Sequence, residues 1–324
     1  MNTETEEQHY RPINIEFLDK GGEERFDIFY RTESFGSIKF VKFASTDPKH
    51  QEKVRRLLEE GEADQEFFIQ EEDLFKYYRY ATRSLQAIVS SPSVPLEKKT
   101  QKVYEVSKGV MKEFFDYHAS EKILESSQEV MGMMEDCLST ADAGFGAIAK
   151  ITNKDYYTYT HSVNVGLYCM TFGVKNKMPG EEIRSLGLGG MLHDVGKAQV
   201  DTAIINKNGR LDETEFEAMK SHSPLGAELL AKMNCYKDCI VQMAGQHHEK
   251  FKGGGYPQGL QGEEIAMFAR ICKIMDVYDA LTTRRSYKKA MTAFDALTLM
   301  NKQMAPEFDP KLMNHFIRLM GPDL

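Results

Sequence analysis

The chain lacks the marks of an exported or membrane-embedded protein. It holds no run of about 18 apolar residues, so no helical membrane span is expected. Its opening, MNTETEEQHY, has no basic stretch followed by an apolar one. A signal peptide is therefore not expected, and a cytoplasmic location is. Surplus positive charge is also missing: the formal net charge is −8. That argues against a nucleic-acid polymer or an anionic membrane as partner, since both want a basic surface. A small anionic substrate stays open, because a local site can reverse the global sign. No internal repeat and no low-complexity tract occurs. Cysteine is sparse and odd in number: Cys137, Cys169, Cys235, Cys239 and Cys272. Most sit in apolar helical surroundings and read as reduced core thiols. Cys235 and Cys239 would share a helix face, but packing is favoured over a metal pair because no second such pair accompanies them.

At 324 residues the chain is long enough for two domains, and 41% hydrophobic with 28% charged residues is ordinary for a protein with a real core. From Ile13 to Phe43 the segments INIEFL, RFDIFY and SIKFVKF alternate and are rich in β-branched and aromatic residues, which predicts strands. DPKHQEKVRRLLEEG predicts a short helix, and EFFIQ a further strand. Residues 1–80 are thus expected to form a small α+β module for binding, sensing or dimerisation. Residues 81–144 read as connecting helices, with a turn from Ser90 to Lys98. Residues 145–324 read as a mainly α domain without a strand series.

The chemistry concentrates in that second half. Of nine histidines, His161, His193, His222, His247 and His248 lie there beside apolar helix ends. Asp194 follows His193 directly, and Asp276 and Asp279 are spaced three apart on a helix that also carries Ile271, Ile274 and Leu281. Buried carboxylates are normally partnered or metal-bound, because an unpaired one costs several kcal/mol. In SLGLGGMLHDVGK each glycine costs about 1 kcal/mol relative to alanine in a helix interior. The compensating gain is a close helix approach, and YYTYTHSVNVGLYCM supplies the partner, with His161, Val165 and Tyr168 on one face. Asp212 and Glu215 predict a capping box for the next helix, which Pro224 is expected to end just after His222. Five imidazoles with one or two carboxylates exceed the needs of one catalytic metal and suit two. Asp194 is the natural bridge. A mostly nitrogen ligand set favours Fe, Mn, Zn or similar over Mg, with Fe and Mn foremost. Two ions ~3.5–4 Å apart can share a hydroxide nucleophile and clamp a phosphoryl transfer.

His161, the HDVGK of 193–197, His222, HHE with GGGYP, and DVYDALTTRRSYK together closely resemble the HD-GYP family of bacterial phosphodiesterases, over about residues 145–318. The HD dyad alone is shared by the wider HD hydrolases; the GYP loop and the RxxK after DAL narrow the match. The resemblance implies an all-helical, metal-dependent domain, a cytoplasmic signalling hydrolase active on cyclic di-GMP that gives the linear dinucleotide or GMP. It further implies that His161, His193, Asp194 and Asp276 hold one metal and Asp194, His222, His247 and His248 the other. Lys197 would act with Asp194 at the scissile phosphate, while Arg285 and Lys288 would grip the phosphates or guanine. Tyr256 would bind substrate or, equally, anchor its loop beside Pro257. The glycines before it give the loop its backbone freedom. A protein partner at the GYP loop, for example a GGDEF-type cyclase, and a homodimer are compatible with the family.

Four positions depart from the family. Tyr157 stands where some members carry a glutamate and bind a third metal, so two metals are expected. Lys252 replaces the usual aspartate before GxGYP, and Arg284 and Ser286 alter DRPY to RRSY. Alternatives are a phosphodiesterase for another cyclic dinucleotide, such as cyclic GMP-AMP, and a catalytically silent sensor or scaffold.

Overall fold

A computed structural model of the chain describes residues 9–18, 25–34, 37–47, 49–50, 52–53, 56, 66–117, 121–140, 152, 158–207, 209–234, 237–284 and 289–320. The chain divides into two compact units, residues 1–110 and 111–324.

In the first unit, β1 (Tyr10–Ile13), β2 (Asp27–Ser34), β3 (Ser37–Ser45) and β4 (Phe67–Gln70) form an antiparallel sheet in the order β1-β4-β2-β3. Phe67, Phe68 and Ile69 of the inner strand β4 are all buried, as a strand covered on both faces requires. The expected strand over INIEFL is displaced. Only Ile13 belongs to β1, and Ile15–Leu18 form a 3-10 turn. The turn buries the adjacent Phe17 and Leu18 together, whereas a strand would point them to opposite faces. The phenols of Tyr77 and Tyr80 on helix α1 (Leu74–Ser90) hold it, donating to the carbonyls of Asn14 and Leu18 at 3.2 Å each. Most of the helix expected over 47–61 lies outside the described residues.

Helix α2 (Leu96–Tyr117) carries the boundary between the units. From there every element of the described residues is helical: α3 (Glu121–Thr140), α4 (Thr158–Lys175), α5 (Gly180–Leu192), α6 (Thr202–Ile205), α7 (Glu213–Lys220), α8 (His222–Met233), α9 (Asp238–Gln246), α10 (Met267–Thr282), α11 (Ala293–Lys302) and α12 (Pro310–Leu319). The fold is therefore mainly α, with a small α+β module ahead of a helical domain. Helix α4 is buried on all sides from Thr160 to Gly173, not along one face. Neighbours surround it: α5 and α10 pack against α4, and α9 against α5, α8 and α10. The glycines of α5 act as expected. A Cβ on Gly190 would lie 3.0 Å from the Cα of Gly166 on α4, and one on Gly166 would lie 2.8 Å from the carbonyl oxygen of Gly187. The two backbones touch, and the end of α5 is pressed against α4.

Asp212 and Glu215 form the expected capping box of α7. Pro224 does not end that helix. The turn after Lys220 closes it, and Pro224 lies in the first turn of α8, which starts at His222. First-turn N–H groups have no intrahelical acceptor, so proline costs nothing there.

Candidate metal centre

Four helix ends and the body of α10 converge. His161 stands in the first turn of α4. His193 and Asp194 follow α5, and a 3-10 turn, Val195–Gln199, carries Lys197. His222 opens α8, His247 and His248 close α9, and Asp276 and Asp279 project from α10. Helix ends suit this task, because a short turn can change the direction of a side chain that a helix interior would fix.

The ligand-capable atoms sort into two groups: His161, His193 and Asp276 on one side, Asp194, His222, His247 and His248 on the other. The Asp194 carboxylate lies between them. Its Oδ2 is 3.3 Å from His193 Nε2 and 3.8 Å from His161 Nε2. Its Oδ1 is 3.3 Å from His222 Nε2 and 3.8 Å from His247 Nε2. Asp276 Oδ1 lies 3.1 Å from His161 Nε2. Each oxygen of one carboxylate thus faces its own set of imidazoles.

The far nitrogens are held from behind. Nδ1 of His193 donates to the Gly190 carbonyl at 2.7 Å, that of His222 to Met219 at 2.6 Å, and that of His247 to Ala244 at 2.9 Å. His161 Nδ1 reaches Asp279 Oδ2 at 2.7 Å. This fixes the tautomer and turns the Nε2 lone pairs inward. His222 Nε2 then lies 3.3 Å from His247 Nε2 and 3.1 Å from His248 Nε2. Lone pairs this close repel unless a cation or proton stands between them. His193 Nε2 and Asp194 Oδ1 are buried without a hydrogen-bond partner. Converging nitrogens, a two-faced carboxylate and orphaned buried acceptors fit a pair of divalent transition metals. The residues available to hold them are the seven named.

The electrostatics divide in the same way. Burial opposes charge on His161 and His193, but Asp276 and Asp279 beside the first and Asp194 beside the second prevail and raise both to about 9. Burial pushes His247 well below the usual range and His248 down to about 3, with neighbouring histidines adding to it. Burial works against the charged forms of Asp194 and Asp276. Lys197 and His193 around the first, and His161 around the second, nevertheless hold both carboxyls well below their ordinary value. Lys197 Nζ donates to Asp194 Oδ2 at 2.5 Å.

A pH dependence follows for the metal-free protein. Folded His161 and His193 at about 9 bind protons that the unfolded chain, at 6.5, gives up. Their stabilisation is complete below pH about 6.5 and is lost as pH rises through about 9. His248, lowered to about 3, works in the opposite sense and costs stability as pH falls below about 6.5. Thermal melting in chelator should therefore show a midpoint that falls between pH 7 and 9, and metal uptake at pH 7 should release protons.

Sequence reasoning missed the support around this centre. Asp279, fully buried, accepts from His161 Nδ1, from Asn164 Nδ2 at 2.9 Å and from Thr283 Oγ1 at 2.9 Å. Its spacing from Asp276 was visible; its different direction was not. Asp279→Ala should weaken metal binding by about 10–100-fold at the His161 group and far less at the His222 group, read by chelator competition.

Glu249, also missed, orders the glycine loop. Its Oε1 accepts from the backbone N–H groups of Gln258 at 2.7 Å and Gly259 at 3.0 Å. Gly253 and Gly254 have φ of +86° and +77°, so the loop uses the left-handed freedom expected of them. Lys250 and the buried Lys273 share the carboxylate of Glu307, at 3.0 and 3.5 Å. Tyr256 stacks on His248 with ring centroids 4.6 Å apart. Burial, with Asp194 and Asp276 nearby, pushes its phenol up, so it stays protonated. Arg285, Lys288, Tyr157, Cys235 and Ser286 lie outside the described residues.

Residues 132–312 match the family model described as HD domain. Over 204 residues the chain is 34% identical to a cyclic di-GMP phosphodiesterase of Pseudomonas aeruginosa, covering 63% of this chain and 47% of that protein. It is 36% identical over 176 residues to a 3′3′-cGAMP-specific phosphodiesterase of Vibrio cholerae, covering 54% of this chain and 37% of that one. The chain thus spans about half or less of the length of these curated relatives. An HDG"Y"P protein from Bdellovibrio bacteriovorus shares the fold, with a TM-score of 0.68 over 96% of this chain and 99% of that one at 14% identity. Because the match takes in more than half the chain, including all seven inward-facing histidines and aspartates, this protein belongs to the HD domain family.

Proposed function

We propose that the chain is a cyclic-dinucleotide phosphodiesterase acting on cyclic di-GMP, giving linear pGpG, GMP or both. The observation that carries this reading is the Asp194 carboxylate, with one oxygen toward each histidine group and Lys197 on Oδ2. His161, His193, Asp194 and Asp276 would hold one ion and Asp194, His222, His247 and His248 the other, with Fe or Mn as the metals. When bound, two such ions activate water and neutralise phosphate oxygens.

The chain's own groups do the rest. Lys197 supplies an ammonium beside the bridging carboxylate and donates a charge-assisted hydrogen bond to the scissile phosphate. Water attacks phosphorus, the bond to O3′ breaks, and O3′ takes a proton, which leaves a 5′-phosphate on the linear product. Tyr256 stays a neutral hydrogen-bond donor over His248. Arg285 and Lys288 are assigned to the substrate's phosphates or guanine. The α+β module over residues 1–80 is assigned a regulatory or interaction role, and residues 145–324 the chemistry. The net charge of −8 does not oppose an anionic substrate, because Lys197 and two divalent ions make the pocket cationic.

A second reading is a 3′3′-cGAMP phosphodiesterase, favoured by the 36% identity to the enzyme of that specificity in Vibrio cholerae. Purified protein loaded with Mn or Fe(II) and given a panel of cyclic dinucleotides separates the two. Elemental analysis should find two metals per chain. Binding without turnover by fully loaded protein would convert the reading to a sensor, and metal content near zero in folded protein would end it.

A further inference from the structure

Outside the two histidine groups, the end of α7 meets the glycine loop. Lys220 Nζ lies 4.9 Å from the ring centroid of Phe216, one turn earlier on α7, and 5.7 Å from that of Tyr256. Tyr256 in turn stacks on His248, its ring inclined by 21°. His248, Tyr256, Lys220 and Phe216 therefore form a line that starts in the metal centre and ends at the surface, where Phe216 is 47% exposed. A single exposed phenylalanine is ordinary and carries nothing alone. Here the ammonium beside it is shared with a ring that itself rests on a histidine of the centre. Among the described residues the one carboxylate paired with Lys220 is Glu217 at 2.6 Å, itself 64% exposed. Exposed pairs of this kind are weak and yield readily to a phosphate.

Resting on the phosphodiesterase reading, we propose that Phe216 and Lys220 form a nucleotide subsite at the mouth of the centre. A purine base of the cyclic dinucleotide stacks on the Phe216 ring, and Lys220 donates to the phosphate that is not being cleaved. The chemistry suits both groups. Every purine has a π-face that an exposed ring can cover, and a cyclic dinucleotide with one phosphate at Asp194 still carries a second negative charge to be met nearby. The subsite selects for a base-bearing diester, which Asp194 and Lys197 by themselves do not.

Steady-state kinetics of the metal-loaded protein test this on cyclic di-GMP and on bis(4-nitrophenyl) phosphate, a diester without a purine. Equilibrium binding of cyclic di-GMP to the chelator-treated protein is measured alongside. Phe216→Ala should raise KM for cyclic di-GMP, and weaken its binding, by about tenfold, with Phe216→Tyr restoring most of the loss. Lys220→Met should raise the same KM by a similar factor, and neither variant should change the base-free diester to a comparable degree. Because Phe216 is half exposed, its melting temperature serves as a fold control. Wild-type KM and binding in Phe216→Ala, with turnover intact, would overturn the subsite and leave the phosphodiesterase reading standing. So would equal losses on both diesters, or a loss only of binding to a protein partner. A wild-type protein that neither binds nor cleaves any cyclic dinucleotide would overturn both.

Discussion

Asp194→Ala is expected to empty both metal positions and to lower phosphodiester turnover by at least about a thousandfold, or about 4 kcal/mol. Its two oxygens face different histidine sets, at 3.3 Å from His193 on one side and 3.3 Å from His222 on the other, so one truncation strikes both. His222→Ala should instead empty mainly the group it belongs to, because an imidazole held at Nδ1 by the Met219 carbonyl offers one inward nitrogen. Metal content by elemental analysis distinguishes the two variants. Equal losses would mean that Asp194 is not the bridge or that the positions fill together. Removing Asp194 also leaves Lys197 and the raised His193 without their shared carboxylate. Loss of one partner from a buried pair costs about 3–5 kcal/mol, so Asp194→Asn, which preserves volume, should be measured beside it.

Gly196→Ala should be the most damaging substitution of one small residue for another. A Cβ at position 196 would overlap the His222 carbonyl oxygen and lie 2.5 Å from the Gly226 amide nitrogen. All of these are backbone atoms, so relief requires the 3-10 turn and α8 to separate. We expect a stability loss of about 3 kcal/mol or more and weakened metal binding, because the turn carries Lys197 and adjoins Asp194 while α8 begins with His222. The control is Gly132→Ala on α3, where a new Cβ would meet nothing within 4 Å. There alanine should gain about 0.5–1 kcal/mol from helix propensity. Denaturant midpoints of the three proteins order them, and a Gly196→Ala midpoint equal to wild type would contradict the contact.

What could be read from the chain alone were the features that spacing and composition encode locally. The capping box at Asp212 and Glu215, the strand at EFFIQ and the glycine-lined approach of α5 to α4 are of this kind, each set by residues within a turn or two of each other. Residue types also carried the centre: adjacent His-Asp and His-His pairs beside apolar runs are hard to explain unless their polar atoms find partners on burial. The same locality explains the misses. The strand expected over INIEFL became a 3-10 turn because Tyr77 and Tyr80, more than 60 residues away, claim its carbonyls. Pro224 reads as a helix end by itself and as a helix start once the chain has turned at Ser221.

Sequence by itself singled out the candidate ligands: His161, His193, Asp194, His222, His247, His248 and Asp276 all lie within the residues that match the HD domain family model. Only the tertiary structure decided what each one faces. Asp276 and Asp279 are the same residue type, three positions apart on α10. Yet one turns its oxygen to His161 Nε2 in the centre, and the other holds His161 Nδ1 from behind. Both ends of that ring are near a carboxylate, and no spacing rule says which end. The difference arises because α4 lies packed beside α10, so that one turn of α10 spans the width of an imidazole. A one-dimensional pattern contains the residues of such a contact but not the direction from which they meet.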